Sequence, residues 1–151
     1  MSAEFDFLTP DDKPALMALS TVDLADNAKA ALDQLGYKVH AAANHGEFLH
    51  KFTQTPYQIV IIEEGFCAAN LEENEALHAL QRLPMGLRRH AVVILVGNSF
   101  ATFNPMQAFQ QGVHSVVNPS EIFLLIQLIQ KAVADNDIFL HNFRQSQQRL
   151  C

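Results

Sequence analysis

Four β-branched residues stand in a row at Ile59-Val60-Ile61-Ile62, a segment with no polar side to give to solvent. A strand that is apolar on both faces is buried on both, which is the situation of a parallel sheet covered by helices above and below. Other runs of the same kind follow the chain: Ala15-Leu16-Met17-Ala18-Leu19, Lys38-Val39-His40-Ala41-Ala42-Ala43, Ala91-Val92-Val93-Ile94-Leu95-Val96 and the short Ser115-Val116-Val117. The clearest strand is the third, Gln58–Ile62.

Between these runs the periodicity changes to that of helices. Leu24, Ala28, Ala31, Leu32 and Leu35 form one amphipathic stripe, with Ser20 or Thr21 expected to cap its start and Gly36 to end it. Asn44 and Glu47 read as a capping pair for a short helix carrying Phe48, Leu49 and Phe52 up to Pro56. Leu77, Leu80 and Leu83 mark a third helix closed by Pro84 and Gly86. Asn104-Pro105 places a cap and a first-turn proline before a helix that stops at Gly112, and a long helix is expected from Pro119-Ser120-Glu121. Strands alternating with helices imply one α/β domain, a flavodoxin-like three-layer sandwich around a five-stranded parallel sheet. Its working site is expected beyond the C-terminal ends of the strands, at Ser20, Thr21, Glu63, Glu64, Gly97, Asn98 and Asn118.

Composition excludes several classes. The formal charge is −6, and a nucleic-acid binder needs a positive field, so no DNA or RNA partner is expected. No apolar run approaches the ~18 residues of a membrane span. The acidic start Met1-Ser2-Ala3-Glu4-Phe5-Asp6 does not resemble a secretory leader. Two cysteines, Cys67 and Cys151, suit a reducing, cytoplasmic setting rather than a disulfide framework. Residues 1–13 read as an arm that Phe5, Phe7 and Leu8 could dock, 14–133 as the domain, and 134–151 as a helical extension.

Several segments, in order, resemble the receiver domains of two-component response regulators. They are Leu35-Gly36-Tyr37-Lys38-Val39, Tyr57-Gln58-Ile59-Val60-Ile61-Ile62-Glu63, Ala91–Gly97, and Ala108-Phe109-Gln110-Gln111-Gly112-Val113 followed by Asn118-Pro119. The resemblance spans about residues 14–133 and implies the strand order 2-1-3-4-5. It also shows what is missing. The acidic pair with which receivers hold Mg²⁺ falls on Leu19 and Ser20, and a leucine offers no oxygen to a hard cation. The phospho-accepting aspartate falls on Glu63, the hydroxyl residue of the fourth strand on Val96, and the lysine before a cis-proline on Asn118, with Pro119 next. The aromatic switch residue has no counterpart in Ser115-Val116-Val117. Phosphoryl transfer relies on metal and cation stabilisation of charge, so no autophosphorylation is expected. The resemblance is therefore to a degenerate pseudo-receiver: not an enzyme, with no catalytic residues, metal or cofactor, working in signal transduction through protein–protein interaction.

Other features carry less. Glu63-Glu64 could mimic a phosphorylated state, but two solvated carboxylates opening a loop is the reading favoured by their like charge. The seven histidines are scattered, His45 and His50 being five apart, and surface or half-buried roles are expected. Cys67 lacks a basic or resolving neighbour in sequence and is expected to be inert. Phosphate-binding glycine loops do not occur. The positive clue is the last helix. Ile122, Phe123, Leu124, Leu125, Ile126, Leu128, Ile129 and Val133 cover more than one face, and Ile138, Phe139, Leu140 and Phe143 continue past the domain. An association surface of Phe123, Ile126, Phe139 and Phe143 is expected, with a protein partner and homodimer formation. A small-ligand or cofactor sensor using the crevice at the strand ends is the alternative, although the corrin-binding Asp-x-His-x-x-Gly pattern is absent.

Overall fold

The computed structural model describes residues 12–82 and 91–150, with 138–150 as backbone alone. Phe5, Phe7, Leu8, Leu83, Pro84, Gly86, His90 and Cys151 lie outside these residues. The elements alternate as expected: β1 (Pro14–Ala18), α1 (Val22–Gln34), β2 (Lys38–Ala41), α2 (His45–Gln54), β3 (Ile59–Glu63), α3 (Glu75–Arg82), β4 (Val92–Val96), α4 (Pro105–Gln111), β5 (Ser115–Val117) and α5 (Leu125–Leu150). Short 3-10 turns occupy Leu71–Glu73 and Pro119–Leu124. The sheet is five-stranded in the order β2-β1-β3-β4-β5, every pairing parallel. This is the flavodoxin-like, receiver-like sandwich.

The period of two along each strand divides the interior into two cores. Leu16, Ala18, Val60, Ile62, Val93 and Leu95 face one side, where Phe48 of α2, Leu77 and Leu80 of α3 and Ala108 of α4 cover them. Ala15, Met17, Ile59, Ile61, Val92, Ile94 and Val96 face the other, under Leu24, Ala28, Ala31 and Leu32 of α1 and Leu125, Leu128, Ile129 and Ala132 of α5. Both faces of β3 are thus sealed, as its β-branched run requires.

Local signals explain the helix ends. Asn44 accepts from Glu47 N (2.8 Å) and Asn104 from Gln107 N (3.0 Å), each capping the helix that follows. Gly36 (φ 86°) and Gly112 (φ 67°) take the left-handed conformation after α1 and α4, which strains any residue with a side chain. Two expectations need correction. β2 stops at Ala41, and Ala42 is buried against α2 instead of extending the strand. The last helix does not run from residue 120: Glu121 (φ −117°, ψ 25°) breaks the path, so a 3-10 turn precedes α5. The Asn118–Pro119 bond is trans, since no cis peptide occurs among the described residues. There Asn118 caps the 3-10 turn, accepting from Ser120 N at 3.0 Å and Ser120 Oγ at 2.8 Å.

Candidate functional site

At the C-terminal edge of the sheet, the carboxylate of Glu63 ends β3 and reaches across to the start of α1. Its Oε1 accepts from Ser20 N (2.9 Å) and Thr21 N (3.0 Å), and its Oε2 from Thr21 Oγ1 (2.9 Å). Thr21 is the residue at the helix start, yet its hydroxyl makes no cap within α1. It is given to Glu63, whose negative charge takes the place favoured at a helix N-terminus. The expectation that Ser20 or Thr21 caps α1 through its side chain is thereby corrected. Ser20 Oγ accepts instead from Cys67 N (3.0 Å), tying the β1–α1 loop to the β3–α3 loop.

Glu64 turns the other way. Its Oε2 accepts from Ser99 Oγ (2.6 Å) and its Oε1 from Ser99 N (3.3 Å), while its own N donates to Val96 O (2.7 Å). To reach Ser99 the side chain lies over Gly97: a Cβ there would collide with Glu64 Oε1 and come within 2.7 Å of Glu64 Cβ. Behind both carboxylates, buried Asn74 donates Nδ2 to Glu63 O (2.9 Å) and Glu64 O (3.2 Å). Its Oδ1 accepts from Leu77 N (3.0 Å), so one amide fixes the acidic turn and caps α3. The reading of Glu63-Glu64 as two solvated carboxylates is overturned. They are half-buried and hydrogen-bonded to opposite walls of a crevice of about 400 Å³, lined also by Asp23, Asn98 and Pro119.

The remaining expected site residues do not converge on that crevice. Leu19 packs partly against the α1/α5 core, and Val96 is wholly buried in it. Asn118 directs its amide nitrogen to Phe100 O (2.9 Å) and Asn98 O (3.5 Å), bracing the β4–α4 loop. These residues do not fit Mg²⁺, which wants several preorganised oxygens. Leu19 has none, Ser20 Oγ is engaged by an amide, and both oxygens of Glu63 are engaged by α1. Among the described residues no three His, Cys, Asp or Glu side chains group as a metal site.

His45 and His50 share α2, while His40, His78, His114 and His141 are spread over other parts of the chain. His45 Nε2 donates to Phe66 O (2.8 Å), and His114 Nδ1 accepts from Val93 N (3.0 Å). His40 departs from the expectation of a surface or half-buried role: it is 4% exposed, with Nδ1 2.7 Å from the Tyr57 hydroxyl. The exposed Cys67 holds a left-handed backbone (φ 49°) and donates its thiol to Ala43 O (3.3 Å). Of the expected association surface, Phe123 is 74% exposed and Ile126 is half-buried against its own domain. Phe139 and Phe143 lie on the α5 backbone, their side chains outside the described residues. Ser99 and Asn74 were not singled out in the sequence. Asn74, directly before an acidic first turn, carried a legible capping signal; Ser99 carried none.

No family model matches the chain, and no curated protein matches it. Solved structures do. A response regulator from Thermotoga maritima superposes with a TM-score of 0.62 at 14% identity, covering 82% of this chain and 98% of its own. The fold is that of a receiver domain. A response regulator receiver domain protein from Methanospirillum hungatei aligns at 0.64 and 20% identity, covering 84% and 98%. NtrX from Brucella abortus reaches 0.67 at 13% identity over 89% of this chain and 29% of its own. No helix among the described residues is long and apolar enough to cross a membrane.

Proposed function

We propose that this chain is a pseudo-receiver, a module of signal transduction that acts by protein–protein contact and whose state is not set by phosphorylation. The observation that carries the reading is the Glu63 carboxylate held by Ser20 N, Thr21 N and Thr21 Oγ1. A receiver needs an aspartate, a bound cation and a hydroxyl where this chain has Glu63, Leu19-Ser20 and buried Val96. Both oxygens of Glu63 are already hydrogen-bonded within the protein, so the β3 end and the start of α1 are tied in one arrangement without a phosphoryl group. A contact role, in the reducing, cytoplasmic setting that two cysteines suit, draws on the exposed Met106, Phe109 and Phe123 for its surface. No catalytic step is assigned to it.

The test is intact mass after incubation with acetyl phosphate and Mg²⁺. Unchanged mass is expected, and the gain of one phosphoryl group, lost in Glu63→Gln, would refute the reading. The crevice of about 400 Å³ favours one second reading, a small-ligand sensor. Native mass of the purified protein separates the two, since a retained ligand adds its own mass.

A further inference from the structure

We infer that the end of α5 pairs antiparallel, tail to tail, with the same segment of a second copy of this chain. The inference gives the contact-module reading its partner and rests on that reading only for its biological use.

The geometry begins where the sheet ends. Asp137 shares a hollow of about 280 Å³ with Lys13, Leu35 and Tyr37, and Lys13 and Tyr37 are the residues directly before β1 and β2. At Asp137 the helix has therefore reached the N-terminal edge of the sheet. Its backbone stays helical to Leu150, which carries it about 20 Å past that edge at 1.5 Å per residue.

The overhang continues the seam that packs the domain. Ile129, Ala132 and Asn136 are 1%, 7% and 9% exposed. Continuing their three-and-four spacing gives positions 139, 143, 146 and 150, which are Phe, Phe, Ser and Leu. Positions repeating every 3.5 residues share one face of a helix and form the seam of a coiled coil. Up to Ala132 that face packs on the chain's own sheet, and Asn136 is still buried; beyond it the same face passes the sheet edge.

This continuity decides the direction of the partner. A parallel second helix on the seam would bring its residues 125–136 into the volume filled by the first copy's sheet. An antiparallel one meets the overhang alone, setting position 139 opposite 150 of the second copy and 143 opposite 146. Charge order agrees. Asp135 and Asp137 stand at the root and Arg144 and Arg149 toward the tip, so antiparallel overlap brings Asp137 within one turn of Arg149 of the second copy. Parallel pairing would set like charges side by side. The other occupant that starts from this edge is the segment 1–11, which joins the body at Asp12 and Lys13.

The experiment uses the full chain at about 50 μM in sedimentation equilibrium. Twice the chain mass is expected, falling to the single mass in the double variant Phe139→Asp, Phe143→Asp with an unchanged far-UV spectrum. Leu150→Asp, farthest from the folded body, is expected to weaken the dimer at least tenfold. Spin labels at Ala134→Cys, with Cys67→Ser and Cys151→Ser, should lie about 30 Å apart between copies in the antiparallel pair. A distance under about 20 Å overturns the direction. A wild-type monomer, or a dimer that survives both sets of aspartates, overturns the interface. A monomer that dimerises only when residues 1–11 are removed assigns the seam to that segment instead. Any of these leaves the intact-mass result with acetyl phosphate standing, so the two readings fail separately.

Discussion

Replacing Glu63 by alanine removes three hydrogen bonds at once and withdraws a negative charge from the start of α1. Hydrogen bonds to a charged group contribute about 1.5–3 kcal/mol each when buried. Here the donors are exposed and water replaces much of what is lost, so the three bonds together are held to the upper end of the N-cap range of about 0.5–2 kcal/mol rather than to their buried sum. A loss of about 2 kcal/mol is expected, or about 4–8 °C in Tm for a chain of this size. Thr21→Val removes one of the three bonds and should cost about 1 kcal/mol, leaving the two amide bonds intact. Because both changes break the same Thr21–Glu63 contact, the double variant should be less destabilised than the sum by about 0.5–1 kcal/mol. Urea denaturation of the four proteins, with the slope m held constant, measures all three quantities. A Glu63→Ala loss below about 0.5 kcal/mol, or strict additivity with Thr21→Val, would refute the tie between β3 and α1.

Gly97→Ala places a Cβ into the Glu64 side chain, colliding with its Oε1 and also lying within 2.7 Å of its Cβ, which cannot swing away. A cost of about 1–3 kcal/mol is expected from thermal unfolding, with loss of the Ser99 contact. Asn74→Ala strips a buried amide that serves two carbonyls and a helix start, and should cost about 3 kcal/mol in the same assay. The Tyr37 phenol is pushed above its ordinary range, first by burial and then by the Asp137 carboxylate. Absorbance titration should show Tyr37 ionising late, and Asp137→Asn should bring it back part of the way while burial holds the rest. Because the folded state keeps that proton more tightly, this contribution to stability is present below about pH 10 and is lost as pH rises beyond it.

The sheet was readable because its constraint is local. A strand with β-branched residues on both faces can only be central, and the caps at Asn44 and Asn104 and the stops at Gly36 and Gly112 are chemistry of a few neighbouring residues. The site was less readable because its contacts are long-range. Nothing near Glu63 in sequence says that the start of α1, more than forty residues earlier, will supply its donors. Like charge made Glu63 and Glu64 look like a solvated pair, and only the fold reveals that each has a different wall to bind. The Asn118–Pro119 bond illustrates the limit of resemblance: the position matches the family's, but Asn118 has turned to cap the following turn and to brace Phe100 O.

The central claim is that the receiver-like crevice is closed to phosphoryl chemistry by Glu63 and its donors. Amide chemical shifts of the labelled full chain, recorded with and without beryllofluoride and Mg²⁺, test it most directly. The account predicts that Ser20, Thr21, Gly65, Gly97 and Ser99 keep their positions throughout the titration. Saturable shifts centred on those residues, spreading to α4 and β5, would contradict it.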